Sequence, residues 1–216
     1  NSSDIDGITM YPRIHGDDGW YAFEPTPFNA GALPIWFWSQ DAQDATRVAN
    51  DEWVSFVRGG GGMFPEKALE SDLETLRRRV ELMRTDTTTP DTRLSDDMNP
   101  INPAITENLT RLMLGGLPTG RDGHALHCRL RYFDADRRRA GLPEDVGALV
   151  EQMDADNVIV SLVNCSPIHQ RTVVVQGGAY AEHGCKVVAD GKTVPETSQH
   201  FDSKRGSAFV VRLAPG

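Results

Sequence analysis

Asn157-Val158-Ile159-Val160-Ser161-Leu162-Val163-Asn164, a break at Cys165-Ser166-Pro167, then His169-Gln170-Arg171-Thr172-Val173-Val174-Val175-Gln176-Gly177-Gly178: this stretch decides the fold. It holds two β-branched runs bounded by turn residues, and no helical period fits either run. Valines at 173, 174 and 175 leave no polar face, so the second strand is expected to be covered on both sides. Further runs stand at Lys186-Val187-Val188 and from Ser207 to Leu213, with Asp190-Gly191 and Arg205-Gly206 as turns. Strands this close in sequence, with no helix between them, pair antiparallel. The fold class expected is α+β. Residues 156–216 form an antiparallel β unit that reads as half of a sandwich, and residues 1–155 form an aromatic-rich, helix-containing part.

The net charge is −9 and the pI is near 5.1. Such a chain has no basic field to offset phosphate repulsion, so neither nucleic acid nor an anionic membrane is an expected partner. The run Arg137-Arg138-Arg139 follows Asp136 and precedes a Gly-Leu-Pro turn, which reads as a solvated or salt-bridged patch. No apolar run approaches the roughly 18 residues of a membrane span. Cys128, Cys165 and Cys185 are odd in number, so they cannot all pair; a Cys165–Cys185 bridge and free thiols both stay open. A hydrophobic share of 39% is low for a self-sufficient globule of 216 residues. With a first residue Asn1 and a last strand running into Pro215-Gly216, the chain reads as a piece of a longer polypeptide.

The first 40 residues carry Trp20, Trp36 and Trp38 together with Tyr11, Tyr21, Phe23, Phe28 and Phe37. Pro12, Pro25, Pro27 and Pro34 argue for irregular chain there, with a short strand near Trp20-Tyr21-Ala22-Phe23. A helix is expected over 41–57, capped by Ser39 or Asp41 and ended by Gly59-Gly60-Gly61-Gly62. The strongest helical pattern runs over 65–84. Leu69, Leu73, Leu76, Val80 and Met83 step by four, three, four and three, a single stripe expected to pack on the rest of the fold. A coiled-coil partner is the other use of such a stripe. Residues 85–102 form a polar loop whose acids, Asp86, Asp91, Asp96 and Asp97, are solvated or hold calcium. Asn102 and Pro103 open the next helix and Gly115-Gly116 close it. A strand over 124–133 and a last helix over 143–153, on Val146, Leu149, Val150 and Met153, complete the expectation.

Little in the chain announces chemistry. His124, His127 and Cys128 are ligand types, but a strand places His127 opposite the other two, so no metal site is expected. Cys165 and His169 invite a thiol mechanism, which a structural β-turn explains as well. Asn108 and Asn164 begin formal glycosylation triplets. The remaining option is paired carboxylates. Glu24 lies between Phe23 and Pro25, the apolar setting of a general acid, and Asp18 would be its ionised partner. Trp20, Tyr21, Trp36 and Trp38 would then offer faces for sugar C–H groups. Core packing by those rings, with Asp17-Asp18-Gly19 as a turn, accounts for the same residues. Glu182 and His183 are a second candidate pair.

The run Val158–Asn164, the strand Arg171-Thr172-Val173-Val174-Val175 and the closing Phe209-Val210-Val211-Arg212-Leu213-Ala214-Pro215-Gly216 resemble the C-terminal β-sandwich module of multidomain carbohydrate-active enzymes. The shared rhythm is a strand, an Asn-x-x-Pro turn, an Arg-Thr-Val strand, and a last strand ending in Pro-Gly. It spans about the last 60 residues and contains no catalytic signature. The resemblance implies the C-terminal portion of a glycoside hydrolase or polysaccharide lyase acting on a glycan. The rest of a longer polypeptide, or a partner chain, would accompany it. A non-catalytic assembly module that buries its tryptophans against a partner is the alternative. No cofactor is implied.

Overall fold

The computed structural model describes residues 3–12, 22–25, 29–48, 50–89, 91–92, 102–119, 125–186, 188–189, 192–193 and 206–216. Asp18, Trp20, Tyr21, His124, Asp190-Gly191, Arg205 and the acids at 96 and 97 lie outside the described residues. The fold is α+β with antiparallel sheets. Two compact units divide the chain: Asn1–Gly62 with Gln152–Asn157, and Met63–Glu151 with Val158–Gly216.

In the first unit, β1 (Ser3–Ile5) and β2 (Ile8–Pro12) make a hairpin, and β3 (Phe23–Glu24) pairs with β2. Irregular chain was the expectation for the segment that follows. It is instead α1 (Asn29–Ser39), with Pro34 inside it. A proline there forfeits one backbone hydrogen bond and crowds the preceding turn, at a cost of about 3 kcal/mol. Burial of Leu33, Trp36 and Phe37 offsets it, since each such side chain contributes roughly 1.5–3 kcal/mol. The helix ends where Gln40 takes a left-handed φ of 52° and its amide donates to the orphan carbonyl of Phe37 at 2.9 Å.

The helix expected over 41–57 is split. Asp41 caps α2 (Ala42–Thr46) by accepting from the Gln43 N–H at 2.6 Å. Asp51 then caps α3 (Glu52–Ser55) by accepting from the Val54 N–H at 3.0 Å. An Asp placed mid-segment offers the backbone a new cap, and the chain takes it. A π-helical turn, Phe56–Gly60, follows. Gly59, Gly61 and Gly62 stop it with φ of 83°, 66° and 103°, values that exclude side chains at little cost only in glycine. Trp36, Trp53, Val48 and Val57 are sealed from solvent in this unit.

The second unit opens with α4 (Phe64–Thr85), with Pro65 in its first turn and Arg84 in its last. α5 (Glu107–Leu114) starts later than Asn102 and Pro103 suggest. Asn102 uses its side chain on the Ala104 N–H instead, an Asx turn upstream of the helix. Gly115 supplies the left-handed cap at the other end. The strands β4 (Gly116–Leu117) and β5 (His127–Cys128) pair beside it. The strand expected over 124–133 is interrupted at Arg129, whose N–H donates to Leu114 and Gly115 carbonyls at 3.1 and 3.2 Å. It resumes as β6 (Leu130–Asp134), which turns back into β7 (Arg139–Ala140). The arginine run at this turn is salt-bridged, as expected: Arg139 meets buried Asp134 at 3.4 Å, and Arg137 meets Glu144 at 2.6 Å.

The helix expected over 143–153 is a strand, β8 (Val146–Met153). Val146, Leu149, Val150 and Met153 fit a helical stripe. The residues that pack on the core are Val146, Ala148 and Val150, a period of two. The strand pairs with β9 (Val158–Asn164) through a four-residue connection. Asp154 builds that turn by accepting from the Asp156 and Asn157 N–H groups, both at 2.8 Å. Next come β10 (Arg171–Gly177), the short ribbon β11 (Val188–Ala189) with β12 (Lys192–Thr193), and β13 (Ala208–Leu213).

The main sheet runs β13-β10-β6-β7. β10 is central, and Val173, Val174 and Val175 are all buried, which its sequence requires. Leu130, Tyr132, Val150, Val173 and Val175 form the core, joined by Val158, Val160 and Leu162 of β9 and by Met113 and Leu114 of α5. The Tyr132 hydroxyl donates to the Met113 carbonyl at 2.8 Å and pins α5 to the sheet.

Candidate functional site

The proposed acid and ring cluster can be followed at three of its six residues. Glu24 stands exposed on β3, opposite Tyr11. Trp36 is 1% exposed and meets Trp53 edge-on, with centroids 5.8 Å apart and planes at 86°. Trp38 is 54% exposed and stands edge-on to Phe37 at 5.6 Å. Residues two apart on a helix point about 200° from one another, so one ring of this pair faces the core when the other faces water. Trp36 and Trp38 therefore do not share a platform.

The second pair, Glu182 and His183, sits in a built loop. Its entry, Gly178, has φ 82°, and a Cβ there would meet the Glu182 carboxylate at 2.3–2.6 Å. That carboxylate accepts from the Ala179 N–H at 3.1 Å and the Tyr180 N–H at 2.7 Å. Arg131 Nη1 and Gln176 Nε2 both donate to the Ala179 carbonyl, at 3.0 and 3.2 Å. Partial desolvation pushes the Glu182 carboxyl up, but hydrogen bonds from its own, Tyr180 and Ala179 backbone amides, with the nearby His183, hold it below the ordinary value. Glu182 is thus an ionised clamp for the turn.

A depressed folded pKa gives stability that is complete above the unfolded value and is lost as pH falls through the folded one. Glu182→Gln should accordingly lower the denaturation midpoint at pH 7, and the gap to wild type should close on acidification below the ordinary carboxylate range. A gap that stays constant down to pH 3 would remove Glu182 from this role.

None of the three cysteines is disulfide-bonded. Cys128 is buried, and desolvation, with help from Glu182, pushes its thiol up to about 11. Burial raises Cys185 as well. Cys165 is exposed, but no hydrogen bond joins it to His169 among the described residues. Asn164 organises that turn instead. Its Nδ2 donates to the His169 carbonyl at 2.7 Å and the Ala214 carbonyl at 2.9 Å, and its Oδ1 accepts from the Ser166 N–H at 3.0 Å. Neither formal glycosylation asparagine is free: Asn164 is 5% exposed, and the Nδ2 of Asn108 donates to Asp72 at 2.9 Å. Among the described residues no group of three or more His, Cys, Asp or Glu is arranged to hold a metal.

A cleft of about 280 Å³ opens between α5 and β6. Leu109, Met113, Leu114, Leu126 and Leu142 make it apolar. Of its polar groups, Thr110 Oγ1 donates to the Thr106 carbonyl at 2.8 Å, the Tyr132 hydroxyl to the Met113 carbonyl, and Arg131 Nη1 to the Ala179 carbonyl. With no carboxylate, imidazole or thiol in its walls, the cleft offers apolar contact and no acid–base chemistry.

Asn164 is the residue whose importance sequence reasoning understated; the signal was a buried-type strand ending in Asn-x-x-Pro. A family model described as a domain of unknown function (DUF8034) matches residues 49–110, which hold α3, the glycine run, α4 and the start of α5. No curated protein and no solved structure matches the chain.

Proposed function

We propose that this chain is a non-catalytic, C-terminal portion of a carbohydrate-processing enzyme, a glycoside hydrolase or polysaccharide lyase. The observation that carries this reading is a convergence in space. The resemblance rests on the Asn164 turn, the Arg171–Gly177 strand and the end of β13, and the Asn164 side chain ties His169, two residues ahead of that strand, to Ala214, just past β13. Gly216 completes the knot by donating its N–H to the Ser166 carbonyl at 3.1 Å. The rhythm is thus a device that locks the last strand, the property a supporting module needs. In this reading the described carboxylates do no chemistry, and the acids that act on the glycan belong to another part of the polypeptide or to a partner chain.

The test compares this chain with the complete gene product on a panel of polysaccharides, scoring new reducing ends and unsaturated sugars. The complete product should release one or the other. The chain alone should release neither, and Glu24→Gln in the complete product should leave turnover intact. A complete product inert on every glycan would end the proposal. So would turnover by this chain alone that depends on Glu24.

A further inference from the structure

The stripe on α4 does not pack as its pattern suggests. Among the side chains of this helix only Ala68 is buried. Leu69, Leu73, Leu76 and Met83 are 41%, 50%, 39% and 49% exposed. The neighbouring face is the one that meets its own chain, where Asp72 accepts from Asn108 and Arg79 donates to the Asn102 carbonyl at 2.9 Å. A row of leucines therefore lies open along a helix of 22 residues.

We propose that this face pairs antiparallel with α4 of a second copy of the chain, an inference independent of the carbohydrate reading. The steps of four, three, four and three are those of a two-helix seam. Placing the two-fold axis between Glu74 and Thr75, the midpoint of α4, overlaps the two helices along their whole length. Leu69 then layers on the partner's Val80, and Leu73 on the partner's Leu76, with each layer repeated by symmetry. The free flank of the stripe carries Glu70 and Arg77. In this register Glu70 lies opposite the partner's Arg77, and the two-fold axis makes that ion pair twice. Charge selects the direction. A parallel pair in heptad register would instead set Arg79 against the partner's Arg84 on both sides of the seam, like against like. On the free flank the reversed copy makes only attractive pairs, whereas the parallel pair sets the attraction of Asp72 for the partner's Arg77 against the Arg79–Arg84 repulsion. Isologous pairing of this sort closes as a dimer.

Sedimentation equilibrium of the whole chain tests the pairing. Wild type should be a dimer. Glu70→Arg and Arg77→Glu should each weaken it about tenfold or more by opposing like charges twice, while helix content is unchanged because both sites are exposed. The double variant E70R/R77E should regain the wild-type affinity. An equimolar mixture of the two single variants should regain it too, as a heterodimer, since each chain then meets its complement. A wild type that stays monomeric up to about 100 µM would overturn the proposal. A dimer indifferent to both charge reversals, or single variants that the mixture fails to rescue, would do the same. A monomer that Leu76→Asp unfolds would overturn it as well, because the stripe would then be packed within one chain.

Discussion

Trp53→Ala is expected to cost about 3–5 kcal/mol of unfolding free energy, the range for truncating a fully buried large aromatic. Trp53 has no exposed surface and abuts Trp36 edge-on. Its loss removes that contact and leaves a void lined by a second indole. Aromatic pairs of this geometry contribute about 0.5–1.5 kcal/mol beyond the area they bury, so the upper half of the range is the better target. Against a total stability of about 5–15 kcal/mol for a typical domain, this removes from about a fifth to nearly all of the margin. Trp38→Ala is the internal control. That ring is half in water, and its removal should cost less than about 1 kcal/mol. Urea denaturation followed by near-UV circular dichroism separates the two. Equal costs for the two substitutions would show that the burial pattern of α1 is wrong. The same pair bears on function: a glycan contact through Trp38 would change binding and leave stability alone, whereas Trp36 and Trp53 can change binding only by unfolding the unit.

The strands β9, β10 and β13 were legible because β-branched residues crowd them and turn residues bound them. β8 was not. A strand with one polar and one apolar face is recognised by alternation, and Ala148 on the inner face with Leu149 beside it blurs that alternation into a helical stripe. Only the pairing with β9, a tertiary fact, decides it. α1 was hidden by Pro34, whose cost is local and visible, while the burial that offsets it is distributed and not. For α4 the span, stripe and first turn were readable, but amphipathic periodicity says only that a face needs covering, never by what. The candidate site suffered from the missed helix. Once Asn29–Ser39 is helical, Trp36 and Trp38 cannot lie on one face, and the ring platform drawn from composition loses two of its four members as a joint surface.

Asn164→Asp should be the most damaging isosteric change in the second unit. The wild-type amide is almost fully buried and points its donors at the carbonyls of His169 and Ala214, with Leu213 a longer third at 3.4 Å. A carboxylate in its place would face those oxygens with negative charge and no proton to share. Removing one partner from a buried polar site costs roughly 1–3 kcal/mol, and a buried uncompensated charge roughly 3–5 kcal/mol. Asn164→Ala is therefore expected near the first value per lost contact, and Asn164→Asp near the second at neutral pH. Acid should separate them. Repulsion raises the folded pKa of the new Asp above its unfolded value, so folding takes up a proton, and the deficit grows as pH rises through the unfolded pKa. At low pH the protonated group regains one donor and the gap to wild type narrows, whereas the Asn164→Ala deficit does not change with pH. Cys165→Ala, one residue on and exposed, should stay within about 0.5 kcal/mol throughout. Guanidinium denaturation at three pH values reads all of these, and limited digestion from the C-terminus reports whether β13 is the strand released. Should Asn164→Asp unfold like wild type at pH 7, the turn would not be what holds the last strand, and the structural argument for a supporting module would fail with it.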